Sequence, residues 1–214
     1  MQKIFYLFIV FIFASLVSSA QISRGSVLLG GDLSFGSQKG NTTSTNLNDY
    51  SSSNFIFAPS IGKAIKDNLV LGGMLTYGHQ QNSNDQGGGN NSKSTGDTYG
   101  LGVFLRKYFP LGKGFSFFTE AQLAGYMIEN KTDGTLTGKT ENLTFAFSPG
   151  VAYGISRRVQ LELGLPEFFS ATYSHNKSLN AGIDYNIVNS FSMGTDLAAS
   201  FQSLDIGIKF LLGH

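Results

Sequence analysis

Residues 102–126 read GVFLRKYFPLGKGFSFFTEAQLAGY. Two alternating runs flank a short turn at 110–114 that carries Pro110, Gly112 and Gly114. In the first run Val103 and Leu105 share one parity, and Gly102 and Arg106 share the other. In the second, Phe115, Phe117, Ala121 and Leu123 oppose Ser116, Glu120 and Gln122. Period-two alternation marks a strand with two different faces, and two such runs round a Gly-containing turn mark a hairpin.

The same pattern recurs along the chain. Alternating runs lie at about 26–36, 54–63, 68–79, 98–109, 115–128, 143–155, 158–173 and 202–212, which predicts eight strands. Connections at about 64–67, 110–114 and 156–157 are short. Those at about 37–53, 80–97, 129–142 and 174–201 are long and rich in Ser, Thr, Asn, Asp and Gly. Short and long alternate strictly, so antiparallel strands put every long loop at one end and every tight turn at the other. Strands of about ten residues cross a bilayer when tilted. Short turns at one end, long loops at the other and an even strand number describe an eight-stranded antiparallel up-and-down transmembrane β-barrel.

The composition agrees with that reading. The chain has 214 residues with 14% charged and 13% aromatic, including 19 Phe and no Trp. A soluble domain carries about 25% charge. Net charge is +1, which gives no reason to expect a nucleic-acid partner. Cysteine is absent, so disulfides, thiol nucleophiles and thiolate metal sites are excluded. Residues 1–20, MQKIFYLFIVFIFASLVSSA, place Lys3 before an apolar run at 4–14 and end in small residues. That is the pattern of a secretory signal peptide, and the apolar run is too short for a membrane helix. We therefore expect a cleaved signal at 1–20 and a barrel domain at 21–214.

Residue size tells the two faces apart. One face is Phe, Leu, Val, Ile and Tyr; the other is mostly Gly, Ala, Ser and Thr. The interior of an eight-stranded barrel is only wide enough for side chains to fill. The small face therefore points inward and the bulky face meets lipid, with Phe104, Tyr108, Phe118 and Tyr126 as interior fillers. The inward parity also carries Asp32, Arg106, Glu120, Glu162, Asp205 and Lys209. Buried charges persist only when paired, so these six are expected to form an interior cluster, with Arg106 opposite Glu120. Tyr77, Tyr99 and Phe145 near one end, and Phe109, Phe115 and Tyr153 near the other, are candidates for interfacial aromatic girdles.

FIFAPSIG (55–62) and FAFSPGVA (145–152) place Pro59 and Pro149 inside matching strands, on the lipid-facing parity. Proline cannot donate to a ladder and a closed barrel offers no edge, so each is expected to cost a ladder bond or sit at a bulge.

The segments SPGVAYGISRRVQLELG (148–164), APSIGKAIKDNLVLGG (58–73) and GVFLRKYFPLGKGFSFFTEAQLAGY (102–126) each read strand, tight turn, strand. In these the chain resembles the small outer-membrane β-barrel proteins of Bacteroidota type, related in architecture to the OmpA and OmpX barrels. The resemblance implies a Gram-negative cell envelope, assembly by the barrel-assembly machinery, contact with outer-membrane lipid, and long loops that meet an extracellular ligand or protein.

Chemistry is sparse. His175 in YSHNKS has Ser178 three residues on, and His79 ends the third run. A rim His/Ser site would suit a lipid-modifying enzyme if a carboxylate oriented the imidazole. No paired-His or Asp-x-Asp-x-Asp metal pattern occurs, and Asp85 and Asp97 stand in a loop of ordinary composition. The sequence predicts no catalytic, cofactor or metal residue. The expected role is structural or surface-interacting, with no wide pore. The alternatives are the rim enzyme and a soluble, lipocalin-like exported binder.

Overall fold

A computed structural model describes residues 22–42, 48–85, 91–165, 168–180, 183–195 and 205–213. The expected signal at 1–20 lies outside the described residues. Among the described residues ten strands form one antiparallel sheet: β1 (Val27–Thr42), β2 (Asn48–Lys66), β3 (Leu69–Asp85), β4 (Asn91–Gly112), β5 (Phe115–Thr132), β6 (Thr135–Gly154), β7 (Val159–Gly164), β8 (Phe169–Asn180), β9 (Ile183–Gly194) and β10 (Asp205–Leu212). β7 and β8 both pair with β6 and make one stave of the wall. β9 and β10 make the next, pairing with β8 and β7 respectively. The ring thus has eight staves, closed where Val27, Leu28 and Leu29 pair with Leu212, Leu211 and Phe210.

The closure is staggered. Stepping through paired residues from Leu29 by way of Ile61, Gly73, Val103 and Leu123 reaches Phe145 on β6. Stepping the other way, through Phe210 and Val159, reaches Ile155, just past the end of β6 and ten residues further along the chain than Phe145. Such a shear tilts the strands and fixes the barrel's width.

The wall is longer than the hydrophobic alternation implied. The expected long loops at 37–53, 80–97 and 129–142 are mostly strand, because β1 to β6 continue through Ser, Thr, Asn and Gln. These residues alternate faces without alternating polarity, so periodicity cannot reveal them. The third loop reduces to the turn Asp133–Gly134, with φ of 50° and 81°. Asp-Gly is the composition that a two-residue hairpin turn with positive φ requires. The expected loop at 174–201 likewise contains the end of β8 and all of β9. Tyr185, Ile187, Phe191 and Met193 alternate along β9 and are exposed.

Both prolines disturb the ladder in their own way. Along β2 and β3 the pairing passes from Phe57↔Tyr77 to Ser60↔Met74 with Ala58 and Pro59 unpaired and the register unchanged. Gly31 faces Pro59 on the other side, where a Cβ would meet Ala58 O and Pro59 Cα at 2.8 Å. Pro149 stands opposite the break between β7 and β8, and its carbonyl accepts the N–H of Leu165 at 2.9 Å. There the step from Phe147↔Phe169 to Gly150↔Gly164 sets two residues of β6, Ser148 and Pro149, against four on the partner side.

The packed core lies inside the barrel at the tight-turn end. Ile22, Leu28, Ala64, Val70, Phe104, Tyr108, Phe118, Ala152 and Leu211 form it. Ile22 precedes the first strand and closes that end at 1% exposure. Asn68, in the β2–β3 turn with φ 60°, holds it there. Its Oδ1 accepts from Ile22 N at 3.0 Å, its N–H donates to Ile22 O at 2.8 Å, and its carbonyl accepts from Tyr108 N at 2.8 Å.

Three interior aromatics lie over the glycine directly across the ladder: Phe104 over Gly72, Phe118 over Gly150 and Tyr126 over Gly100. A Cβ at Gly150 would overlap the Phe118 ring and come within 2.6 Å of Leu163 O, a backbone atom that cannot yield. Gly150→Val is therefore expected to destabilise the barrel by about 1–3 kcal/mol, the cost of overpacking. A lowered temperature for loss of the folded band in heat-modifiable gel mobility would show it; an unchanged temperature would contradict the ring-on-glycine packing.

Candidate functional site: the barrel interior

The residues with chemical potential converge in the lumen just above the apolar floor. Arg106 on β4 pairs in register with Glu120 on β5. Its Nε and Nη2 both lie 2.7 Å from Glu120 Oε2, while Nη1 donates to Glu162 Oε2 on β7 at 2.5 Å. Tyr108 Oη donates to Glu162 Oε1 at 2.6 Å, and Gln160 Nε2 donates to the same oxygen at 3.2 Å. The guanidinium also lies over two of the interior rings, its Cζ 4.8 Å from the Phe118 centroid and 5.6 Å from that of Phe104. One cation thus ties three staves together and satisfies two carboxylates, as a buried ion must.

The other charged residues are placed differently. Lys209 on β10 is 4% exposed, and its Nζ lies 3.9 Å from Asp32 Oδ1 on β1. These two line a cavity of about 170 Å³ that the Arg106 cluster also borders, together with Ser60, Gln122 and Ser148. Asp205 begins β10 opposite Gly164, and its side chain lies outside the described residues. Five of the six inward-parity charges therefore resolve into an Arg106–Glu120–Glu162 network and a Lys209–Asp32 pair. Sequence reasoning missed Tyr108 Oη and Gln160 as partners of Glu162. Their inward parity was the signal, since a buried Tyr usually finds a hydrogen-bond partner for its hydroxyl.

The rim histidines do not assemble a nucleophilic site. His175 and Ser178 are three residues apart on one strand, so they point to opposite faces. His175 Nδ1 lies 2.6 Å from Asn189 Oδ1 instead. His79 is paired with Asp97 at 2.7 Å. The side chain of Asp85 lies outside the described residues. No group of three or more potential metal ligands occurs among the described residues.

The outward face is apolar between two sets of aromatics. Tyr77 and Tyr99 stack at 5.6 Å towards the long-strand end, and Phe115 and Tyr153 at 4.6 Å towards the tight turns. Beyond Tyr99, outside that band, the hydrogen bond from His79 holds the Asp97 carboxyl below its ordinary range, with Lys131 adding to the effect against partial desolvation. A depressed carboxylate pKa contributes stability that is present above the unfolded-state value and lost as pH falls through the folded-state value. His79→Ala is expected to raise the Asp97 pKa towards the free carboxylate value, read by carboxyl NMR titration; an unmoved titration would contradict the pairing.

Removing Arg106 leaves two carboxylates buried without their cation. Arg106→Leu is expected to cost about 3–5 kcal/mol of stability, read from the heat-modifiable gel shift. Unchanged heat resistance would show that the cluster is dispensable.

Comparison with known proteins identifies the architecture. The Autotransporter beta-domain family matches residues 20–163, more than half of the chain. Among curated proteins none matches the sequence. Among solved structures the chain is similar to Neisserial surface protein A, at 13% identity and a TM-score of 0.41, covering 90% of this chain and 97% of that one. It is also similar to the translocator domain of the autotransporter NalP from Neisseria meningitidis, at 12% identity and a TM-score of 0.41, covering 89% and 88%. With its eight-stave wall and lipid-type outer face, the chain belongs to the autotransporter β-domain family of outer-membrane β-barrels.

Proposed function

We propose that this protein is a non-enzymatic structural or surface-interaction barrel of a Gram-negative outer membrane, closed across its lumen. It is exported by a signal peptide cleaved near residue 20 and inserted by the barrel-assembly machinery. The observation that carries the reading is the ion network across the interior. Arg106 joins β4, β5 and β7 through Glu120 and Glu162, over a floor closed by Tyr108 and Ile22. Passage of a polypeptide would require this network and the floor beneath it to part. Passenger export, which the family name raises, is therefore not what the geometry favours. What remains available to partners is the long-strand end, where β2, β3, β4 and β6 carry Ser, Thr, Asn and Gln well past the apolar band. Polar surface held on a rigid wall suits recognition.

Planar-bilayer recording tests the closed lumen. The wild-type protein is expected to give no stable conductance step, while the triple variant R106A/E120A/E162A gives one. Stable open-channel steps from the wild type would overturn the reading.

A further inference from the structure

The formal charge of the whole chain is +1, but the tight-turn end is far from neutral. Arg24, Lys66, Lys113, Arg157 and Arg158 sit on the turns or just before the first strand, and all are exposed. Lys63 and Lys107 project from the outer wall immediately above them, by their register with Val27 and Leu69. Against these seven cations the described residues at this end hold one acid, Asp67. Its Oδ1 already accepts the backbone N–H of Arg24 at 2.8 Å. Half of the 14 basic residues beyond position 20 are thus gathered in one rim with a single counter-charge.

The apolar neighbours of these cations say what the rim meets. Ile65, Phe109, Leu111, Phe115 and Ile155 are exposed among them, with Leu111 at 70% and Ile155 at 58%. Cations interleaved with exposed aliphatic and aromatic side chains fit the boundary between hydrocarbon and headgroups, where long basic side chains lay their stems on apolar surface and reach for phosphate. A soluble acidic polymer would meet the turns but would leave those apolar side chains, and Lys63 and Lys107 on the wall, unused.

We propose that the tight-turn rim is a binding surface for anionic phospholipid headgroups of the leaflet at that end. The phosphates neutralise a ring of cations that otherwise repel one another, so the barrel is selectively stabilised by acidic lipid. The attraction is electrostatic and near the surface, so salt weakens it.

The test is thermal unfolding of the full mature chain in two bilayers of matched chain length. One is phosphatidylcholine alone; the other is phosphatidylcholine mixed with phosphatidylglycerol. The wild-type protein is expected to unfold at a higher temperature in the mixture, by a margin that shrinks as salt is added. The variant K66Q/K113Q/R157Q/R158Q, whose sites are all exposed and outside the interior network, is expected to lose more than half of that gain. In phosphatidylcholine alone the variant should unfold at the same temperature as the wild type or above it, because like-charge repulsion has been relieved. A merely structural role for these residues would lower stability in both bilayers and would overturn the proposal. So would equal wild-type midpoints in the two lipids, or retention of purified cell-wall sacculi through these residues with no lipid preference. Failure to insert into either bilayer would instead sink the membrane-barrel reading on which this inference rests.

Discussion

A backbone that crosses hydrocarbon must satisfy its own hydrogen bonds, and a sheet can do so only by closing on itself. Every other feature of this molecule depends on that constraint. Closure falls to the pairing of Val27–Leu29 with Leu212–Phe210, at the tight-turn end. Eight staves with a ten-residue stagger then set an interior too narrow for large side chains to meet each other freely. Hence Phe104, Phe118 and Tyr126 each lie over a glycine across the ladder. The outward face takes the remaining bulk: Phe35, Leu75 and Leu101 are 73%, 62% and 69% exposed. An apolar surface that extends round a whole wall is incompatible with water at the scale of ordinary soluble proteins. In lipid it is the required complement.

The interior is organised by charge rather than by size alone. Arg106 is held by two carboxylates and two aromatic faces, so removing it costs far more than its own contacts. Beneath it the floor is apolar and includes Ile22, from the segment that precedes the first strand. Lys209 and Asp32, with Ser60, Gln122 and Ser148, line a cavity that Arg106 itself borders. The lumen therefore passes from an apolar floor to an ion network that shares one cavity with Lys209 and Asp32. That ordering underlies the proposal of a closed barrel with its accessible surface at the long-strand end.

Much of the fold was legible in alternation, because a two-faced wall writes its register into residue size. The eight staves, the inward parity of Arg106 and Glu120 and the outward parity of Pro59 and Pro149 all follow from period two. The polar strand extensions were not legible, since Ser, Thr, Asn and Gln on both faces produce no contrast. Asp133–Gly134 carried a readable turn signal that the polar run around it concealed. The split of the last two staves was also hidden. β9 looked like loop because only part of it alternates clearly. Of the interior site, parity could bring charges to one face but not assign partners. Whether Glu162 bonds Arg106 or Lys209 depends on the stagger, which no local pattern encodes. Near-zero net charge likewise hid the basic rim, because an average over the chain discards position.

The absence of Trp from the sequence permits a direct test of which face meets lipid. Single-tryptophan variants, Leu101→Trp on the outer face and Gln122→Trp on the inner face, can be placed in bilayers with bromine on the acyl chains. Strong quenching of the indole fluorescence is expected in the Leu101→Trp variant and little in the Gln122→Trp variant. The opposite pattern, or equal quenching in both variants, would contradict a barrel that turns its bulky face to the membrane and its charged, glycine-lined face inward.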